Sequence, residues 1–149
     1  MRTSVWAPGY ERLSTRVDAP DAGTTDRAAA AEFFKALLDA VTAAHLLHLQ
    51  SQSFSQHSAL GDFYSELEGL ADGLIESYQG KYGIVTGYPM GPSQPNDDPV
   101  VFMTQLSNYI RRVRGNVASD SEIQNDIDTV LTLIDTTLYK LVYKLENLR

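Results

Sequence analysis

The feature that most constrains the fold is a set of four separate stretches in which apolar side chains recur every three or four residues. This spacing places them along one side of an α-helix, and a soluble protein must bury such a side. The pattern predicts helices at 26–50, 57–79, 100–115 and 120–147, and no β-sheet. Four helices with one apolar stripe each pack most simply as an antiparallel four-helix bundle. We therefore predict an all-α protein.

Polar and turn-forming residues mark the ends of these helices. Thr25 is predicted to cap the first helix, and "SDSE" at 119–122 has the pattern of a capping box before the fourth. Residues 80–99 contain four glycines and four prolines, which end the second helix and form a long connection. A connection of this length between helices two and three predicts a crossover along the outside of the bundle, the connectivity of ferritin-like folds.

The chain is predicted to form a single domain over 1–149, with an arm at 1–25 and the bundle at 26–148. The arm has no helical period but contains both basic and apolar side chains. It is either a tail or an arm that packs on a neighbouring subunit. Its basic residues are Arg2, Arg12 and Arg16, and the apolar residues that could pack on a neighbour are Trp6, Tyr10, Leu13 and Val17, of which the two aromatic ones favour packing.

Composition excludes several classes of function. The chain has no cysteine, which removes disulfides, thiolate metal sites and cysteine nucleophiles. No apolar run is long enough to span a membrane, and the N-terminus lacks the apolar core of a signal peptide, so we expect a cytoplasmic protein, or a virion protein if it is phage-encoded. With a net charge of −7, nucleic acid could bind only at a local patch such as Arg111, Arg112 and Arg114.

One stretch concentrates side chains that bind metals. His45, His48 and His57, the three histidines of the chain, lie within thirteen residues, and Asp72 and Glu76 follow four residues apart on the predicted second helix. Residues four apart share one helical face. Imidazole and carboxylate ligands together suit iron, zinc or manganese, and such sites occur between the helices of bundles. A pair of helical carboxylates is also common on solvated faces, so spacing alone does not decide.

The order of these residues resembles the Dps or mini-ferritin family. Its first two helices contain a histidine, a second histidine twelve residues later, an aspartate shortly after and then a DxxxE pair. The resemblance implies a ferritin-like fold, a spherical dodecamer and the oxidation and storage of iron. It also implies a metal site shared by two subunits, with His45 and His57 from one chain and Asp72 and Glu76 from its two-fold mate.

The sequence departs from the mini-ferritin pattern in three places. The aspartate expected four residues after the second histidine is replaced by Gly61, and Asp62 is one position further on, about 100° around a helix. Leu46 stands where the family has an aromatic residue. The basic DNA-binding tail of many members is absent. We keep Asp62 in the candidate metal set, which is His45, His57, Asp62, Asp72 and Glu76.

A second resemblance leads to a different function. The phrases "HLLHLQSQSFSQHSALGDFY" and "IQNDIDTVLTLIDTTLYKL" are similar to small ferritin-like proteins encoded by tailed bacteriophages. Two hypotheses therefore stand: an iron-binding ferroxidase, and a non-enzymatic phage virion or accessory protein on the same fold. Without a metal, the histidines would form a polar network with carboxylates. His48 has no mini-ferritin counterpart and is predicted to be a core or interface histidine.

The apolar side chains also predict a homo-oligomer. Phe33 and Phe34 point about 100° apart around helix one. On helix two, Tyr64, Ile75 and Tyr78 form a second row beside the leucine stripe. One bundle needs only one inward stripe per helix, so a second buried face is expected.

Overall fold

The computed structural model describes residues 23–91 and 96–144, and both ranges are helical apart from their connections. The helices are α1 (Arg27–Gln50), α2 (Phe54–Tyr82), α3 (Pro99–Val117) and α4 (Ser121–Tyr143). The predicted all-α class is confirmed, with no strand in these two ranges. Most of the predicted arm and the end of the fourth predicted helix lie outside the described residues.

The helices pack as a four-membered bundle. In its main contacts, α1 lies against α2 and α3, and α4 lies against the same two helices, so α1 and α4 are diagonal to one another. Alanines on α1 alternate with large side chains and allow close packing, while Phe33, Phe34, Phe63 and Tyr78 fill the centre and are fully buried. None of the four described helices is both long and apolar enough to cross a membrane.

Burial within one chain changes the argument for a homo-oligomer. Phe33, Phe34, Ile75 and Tyr78 are buried in the core of the single chain, and Tyr64 is half-buried. The second apolar row is therefore used inside the bundle, because α1 and α2 each pack against two neighbouring helices rather than one. Oligomerisation stays a prediction, and these side chains do not support it.

The start of α1 differs from its prediction by one residue. Asp26, not Thr25, caps the helix, and its carboxylate accepts hydrogen bonds from the backbone N–H groups of Ala28 and Ala29 at 3.1 Å. The Thr25 hydroxyl instead donates to the Val117 carbonyl at 2.6 Å. Because that bond uses its one proton, it accepts from the Tyr78 hydroxyl at 2.5 Å. Thr25 thus joins α1 to α2 and α3.

The predicted capping box at 119–122 does not form. Asp120 is the N-cap residue of α4, but its side chain makes no capping bond. The carboxylate is buried, and it accepts hydrogen bonds from the Gly23 N–H at 3.2 Å, the Lys81 ammonium at 2.7 Å and the Tyr82 hydroxyl. A Cβ on Gly23 would lie 2.7 Å from this carboxylate, so only glycine fits there. These tertiary partners replace the local cap.

The connection after α2 begins beside the start of α1. Gly83, at φ +89°, ends α2, whereas Gly80 lies inside the helix, contrary to the prediction that it would help to end it. The Arg27 guanidinium donates to the carbonyls of Tyr82 and Ile84 at 2.5 and 2.6 Å. Further along, Pro89 and Met90 line a shallow groove with Lys35 and Asp39 of α1. The connection therefore follows α1 away from the Asp120 end of the bundle.

Candidate functional site

The turn between α1 and α2 brings the three histidines together. Ser53 caps α2 by accepting a hydrogen bond from the Gln56 N–H at 3.3 Å, and α2 begins three residues earlier than predicted. Only residues 51–53 separate the two helices, so the last turn of α1 lies against the first turn of α2.

His48 and His57 bind one another's backbone. Nδ1 of His48 lies 2.6 Å from the His57 carbonyl oxygen, and Nδ1 of His57 lies 2.9 Å from the His48 carbonyl oxygen. A carbonyl oxygen only accepts hydrogen bonds, so both Nδ1 atoms donate. In a neutral imidazole the lone pair is then on Nε2. The two rings also stack, with centroids 3.7 Å apart and planes at 22°.

His45 extends this group of rings toward solvent. Its imidazole is exposed and stacks on the half-buried ring of Tyr64, with centroids 4.2 Å apart. Tyr64 also meets the edge of His48 at 5.3 Å. His45, His48, His57 and Tyr64 therefore form one continuous aromatic cluster, which we call the histidine cluster.

Gly61 lies against the histidine cluster and gives it room. A Cβ at this position would come within 3.0 Å of Cε1 and 3.1 Å of Nδ1 of His48. The imidazole of His48 therefore takes up the space that a larger side chain at position 61 would need.

Asp62 lies on another side of α2. Its carboxylate is 3.8 Å from the ammonium of Lys140 on α4, and both side chains are about half exposed or more. One residue further along a helix turns a side chain by about 100°, which directs Asp62 away from His48 and toward α4. The structure does not bring Asp62 to the histidine cluster within one chain.

Asp72 and Glu76 project into solvent from the middle of α2. Within the part of the chain that the structure describes, neither carboxylate forms an ion pair. His57 and Asp72 lie on the same unbroken helix, fifteen residues apart, which corresponds to about 22 Å of helical rise. Among the described residues, no three His, Asp or Glu side chains come together to hold a metal ion.

Without a metal, the histidines were predicted to form hydrogen bonds with carboxylates. His48 and His57 do form hydrogen bonds, but with different partners. The histidine partners are backbone carbonyls, not carboxylates. The His48 carbonyl is one of the last four of α1, which lack the N–H partner four residues further along that carbonyls inside the helix have. The His57 carbonyl lies in the first turn of α2 and can accept a second hydrogen bond because a carbonyl oxygen has two lone pairs. His48 is half-buried at the α1–α2 contact.

The arginine cluster on α3 is largely bound within the chain. Arg114 contacts the Asp128 carboxylate at 2.6 Å and the Gln124 side chain at 2.8 Å. Arg112 lies over the ring of Tyr109, 5.6 Å from its centroid. Arg111 lies 4.0 Å from Asp135 and is half exposed. Such intrachain partners account for these side chains without nucleic acid.

One member of the histidine cluster, Tyr64, and the adjacent Gly61 were not expected there from the sequence. Tyr64 was predicted as part of an apolar row, and Gly61 only as a departure from a pattern. The sequence feature that could have predicted the cluster is the separation of nine residues between His48 and His57. Across a short turn, this separation places the two histidines on facing ends of adjacent helices.

The comparisons with known proteins identify a family. The model of a family described as "Family of unknown function (DUF5856)" matches residues 48–141, which contain all of α2, α3 and most of α4. Neither the curated proteins nor the solved structures contain a match to the chain.

Proposed function

Because the chain belongs to the DUF5856 family, whose function is unknown, we propose a function from its own side chains: a Dps-like ferroxidase with an iron site shared by two copies. One observation carries the proposal. Nδ1 of His57 donates to a backbone carbonyl, and in metal-binding histidines the nitrogen that does not hold the ion usually donates to such a carbonyl, a carboxylate or water. Asp72 and Glu76 are exposed on the same helix and supply hard oxygen ligands.

The proposed site requires a second copy. One chain separates its own His57 from its own Asp72 by about 22 Å along α2. A second chain with its α2 antiparallel to the first places Asp72 and Glu76 beside the first chain's His57. The two-fold relation then creates two equivalent sites. His45 is the fourth proposed ligand of each site. Asp62 is not included among the ligands because it pairs with Lys140.

The order of the helix ends supports a ferritin-like connectivity. Thr25 before α1 binds Val117 at the end of α3, and Tyr82 at the end of α2 binds Asp120 before α4. α1 and α4 therefore begin at the end of the bundle where α2 and α3 finish. α2 and α3 therefore run in the same direction and need a connection along the bundle, so we infer that the chain crosses over between them.

In this proposal the protein supplies ligands and an acidic environment. Ferrous iron is the substrate, bound by two imidazoles and two carboxylates. Each ferrous ion loses one electron to dioxygen or hydrogen peroxide. The net charge of −7 attracts the cation and gives the ferric product an acidic surface on which to collect.

We expect iron to elute with an assembly larger than the 16.5 kDa chain. The purified protein would be loaded aerobically with ferrous iron and separated on a sizing column with light scattering and elemental analysis. The proposal is supported if iron elutes with a protein peak whose mass exceeds that of one chain. A monomer of about 16.5 kDa, or a protein peak without iron, contradicts it.

A second candidate function, a phage virion or accessory assembly protein, is favoured by the exposed apolar side chains. Leu49 and Phe54 at the α1–α2 turn are 64% and 75% exposed, and Tyr143 near the end of α4 is 69% exposed. Exposed apolar groups of this size often mark surfaces that bind other proteins. A large assembly that takes up no iron on the same column would favour this function.

A further inference from the structure

His48 is the member of the histidine cluster that the mini-ferritin resemblance does not account for. Besides its contact with Tyr64, its ring makes three contacts with His57 and Gly61. One face stacks on His57 at 3.7 Å, Nδ1 donates to the His57 carbonyl at 2.6 Å, and the edge with Cε1 fills the space above Gly61. No buried side-chain donor or acceptor among the described residues is left without a partner.

Two restraints act on His57, one from the backbone carbonyl of His48 and one from its ring. The His48 carbonyl holds the proton of His57 on Nδ1, which fixes the tautomer and leaves the lone pair on Nε2. The His48 ring covers one face of His57, so the imidazole of His57 cannot turn without losing both the hydrogen bond and the stacking contact. Metal-binding histidines depend on such partners for both orientation and basicity.

We propose that His48, together with Gly61, is a positioning pair that holds Nε2 of His57 free for a metal bound by the Asp72 and Glu76 of a second copy. This inference rests on the proposed inter-subunit site. His48 is not itself a ligand. Its ring is within 22° of parallel to that of His57, and lone pairs lie in the ring planes, so two stacked imidazoles cannot both point at one ion.

The positioning pair also determines which metals the site takes. Since His48 occupies the space of a side chain at 61, the site has one carboxylate fewer than the mini-ferritin pattern. Two imidazoles and two carboxylates favour Fe²⁺, Co²⁺ and Zn²⁺ over Mg²⁺ and Ca²⁺, which prefer oxygen ligands alone. Co²⁺ is therefore a suitable probe, because its visible spectrum reports binding without oxidation.

The test measures Co²⁺ affinity and the His57 tautomer in the full chain. We expect His48→Ala to raise the Co²⁺ dissociation constant about tenfold or more, the usual effect of losing an outer-shell partner. His48→Asn keeps a side-chain donor near the Nδ1 position and should recover part of the affinity. Thr129→Ala, a change at an exposed position on α4 away from the α1–α2 turn, should bind as the parent does.

Nitrogen NMR of the metal-free protein gives an independent readout. In the parent, His57 should be protonated on Nδ1 alone, with its ring in one rotamer. His48→Ala keeps the backbone carbonyl that accepts this proton but loses the stacked ring, so the His57 ring should exchange between rotamers and form the Nδ1–H···O bond only part of the time. Gly61→Ala pushes on the His48 ring from the other side and should weaken Co²⁺ binding in a chain that keeps its own His48. This variant tests the pair if His48→Ala fails to fold.

The outcomes separate this inference from the proposed function. If the parent and His48→Ala bind Co²⁺ equally well, the positioning role is overturned and the metal site stands. If the parent binds no Co²⁺, the metal site and the positioning role that rests on it are both overturned. If the parent binds Co²⁺, a His57 ring that is fixed in the parent and mobile in His48→Ala supports the positioning role, and an identical His57 in both overturns it.

Discussion

Replacing Glu76 by alanine is expected to reduce ferrous oxidation to the rate seen without protein. Glu76 is exposed on α2 and, among the described residues, forms no ion pair, so its carboxylate contributes little to the fold. In the proposed site it is one of four ligands, and an open site that loses a carboxylate ligand loses both affinity and charge compensation. Absorbance of the ferric product gives the rate, and circular dichroism gives the helical content.

Glu66→Ala is the matched control for this prediction. Glu66 is also exposed on α2 and lacks an ion pair within the described ranges, but it lies ten residues, or about 15 Å, from Glu76. Its replacement should leave the oxidation rate unchanged. Equal rates in the parent and Glu76→Ala would end the ferroxidase interpretation and leave the assembly protein in its place.

Replacing Asp120 by alanine should lower the free energy of unfolding by about 3 kcal/mol. The side chain is only 3% exposed, and it receives hydrogen bonds from Gly23, Lys81 and Tyr82. Its loss leaves the Tyr82 hydroxyl and the Gly23 N–H without their acceptor. Urea unfolding followed by circular dichroism measures the change.

Asp128→Ala is the control for Asp120, because Asp128 also pairs with a basic side chain but is 58% exposed. Exposed ion pairs contribute about 1 kcal/mol or less, since solvent screens them and side-chain entropy opposes them. If Asp120→Ala costs no more than Asp128→Ala, the buried carboxylate does not hold the end of the bundle together.

The same carboxylate makes stability depend on pH. Burial raises the pKa of Asp120, but the hydrogen bonds from Lys81, Tyr82 and Gly23 outweigh it, so the pKa lies below the ordinary value of 3.8. Its contribution is therefore complete above that value and is lost as the pH falls through the lower pKa of the folded state. The difference in stability between the parent and Asp120→Asn should shrink in this acid range.

The sequence was sufficient to predict the helices because each has its own apolar stripe, and burying such stripes dominates helix formation in proteins. Helix ends were less accurate where tertiary partners compete with local ones. Asp120 has the sequence of a cap, yet Lys81 and Tyr82, some forty residues earlier, take its carboxylate. No local pattern contains that information.

The candidate site was predictable in part. The spacing of His45 and His57 indicated a shared location, and both are in the histidine cluster, joined through His48. The role of Gly61 could not be predicted, because it depends on which side of α2 faces the His48 ring. Whether Asp72 and Glu76 meet a partner's histidines depends on contacts between copies, which one chain's sequence does not encode as a pattern.

The most direct test of the shared site is to mix two inactive variants. His57→Ala and Glu76→Ala would be unfolded together in equal amounts, refolded and assayed for ferrous oxidation. A mixed two-fold dimer has one site with both changes and one intact site, so random pairing should restore about a quarter of the parent's activity. Recovery near that level is the predicted result. A mixture no more active than either variant alone would contradict a metal site built from two copies.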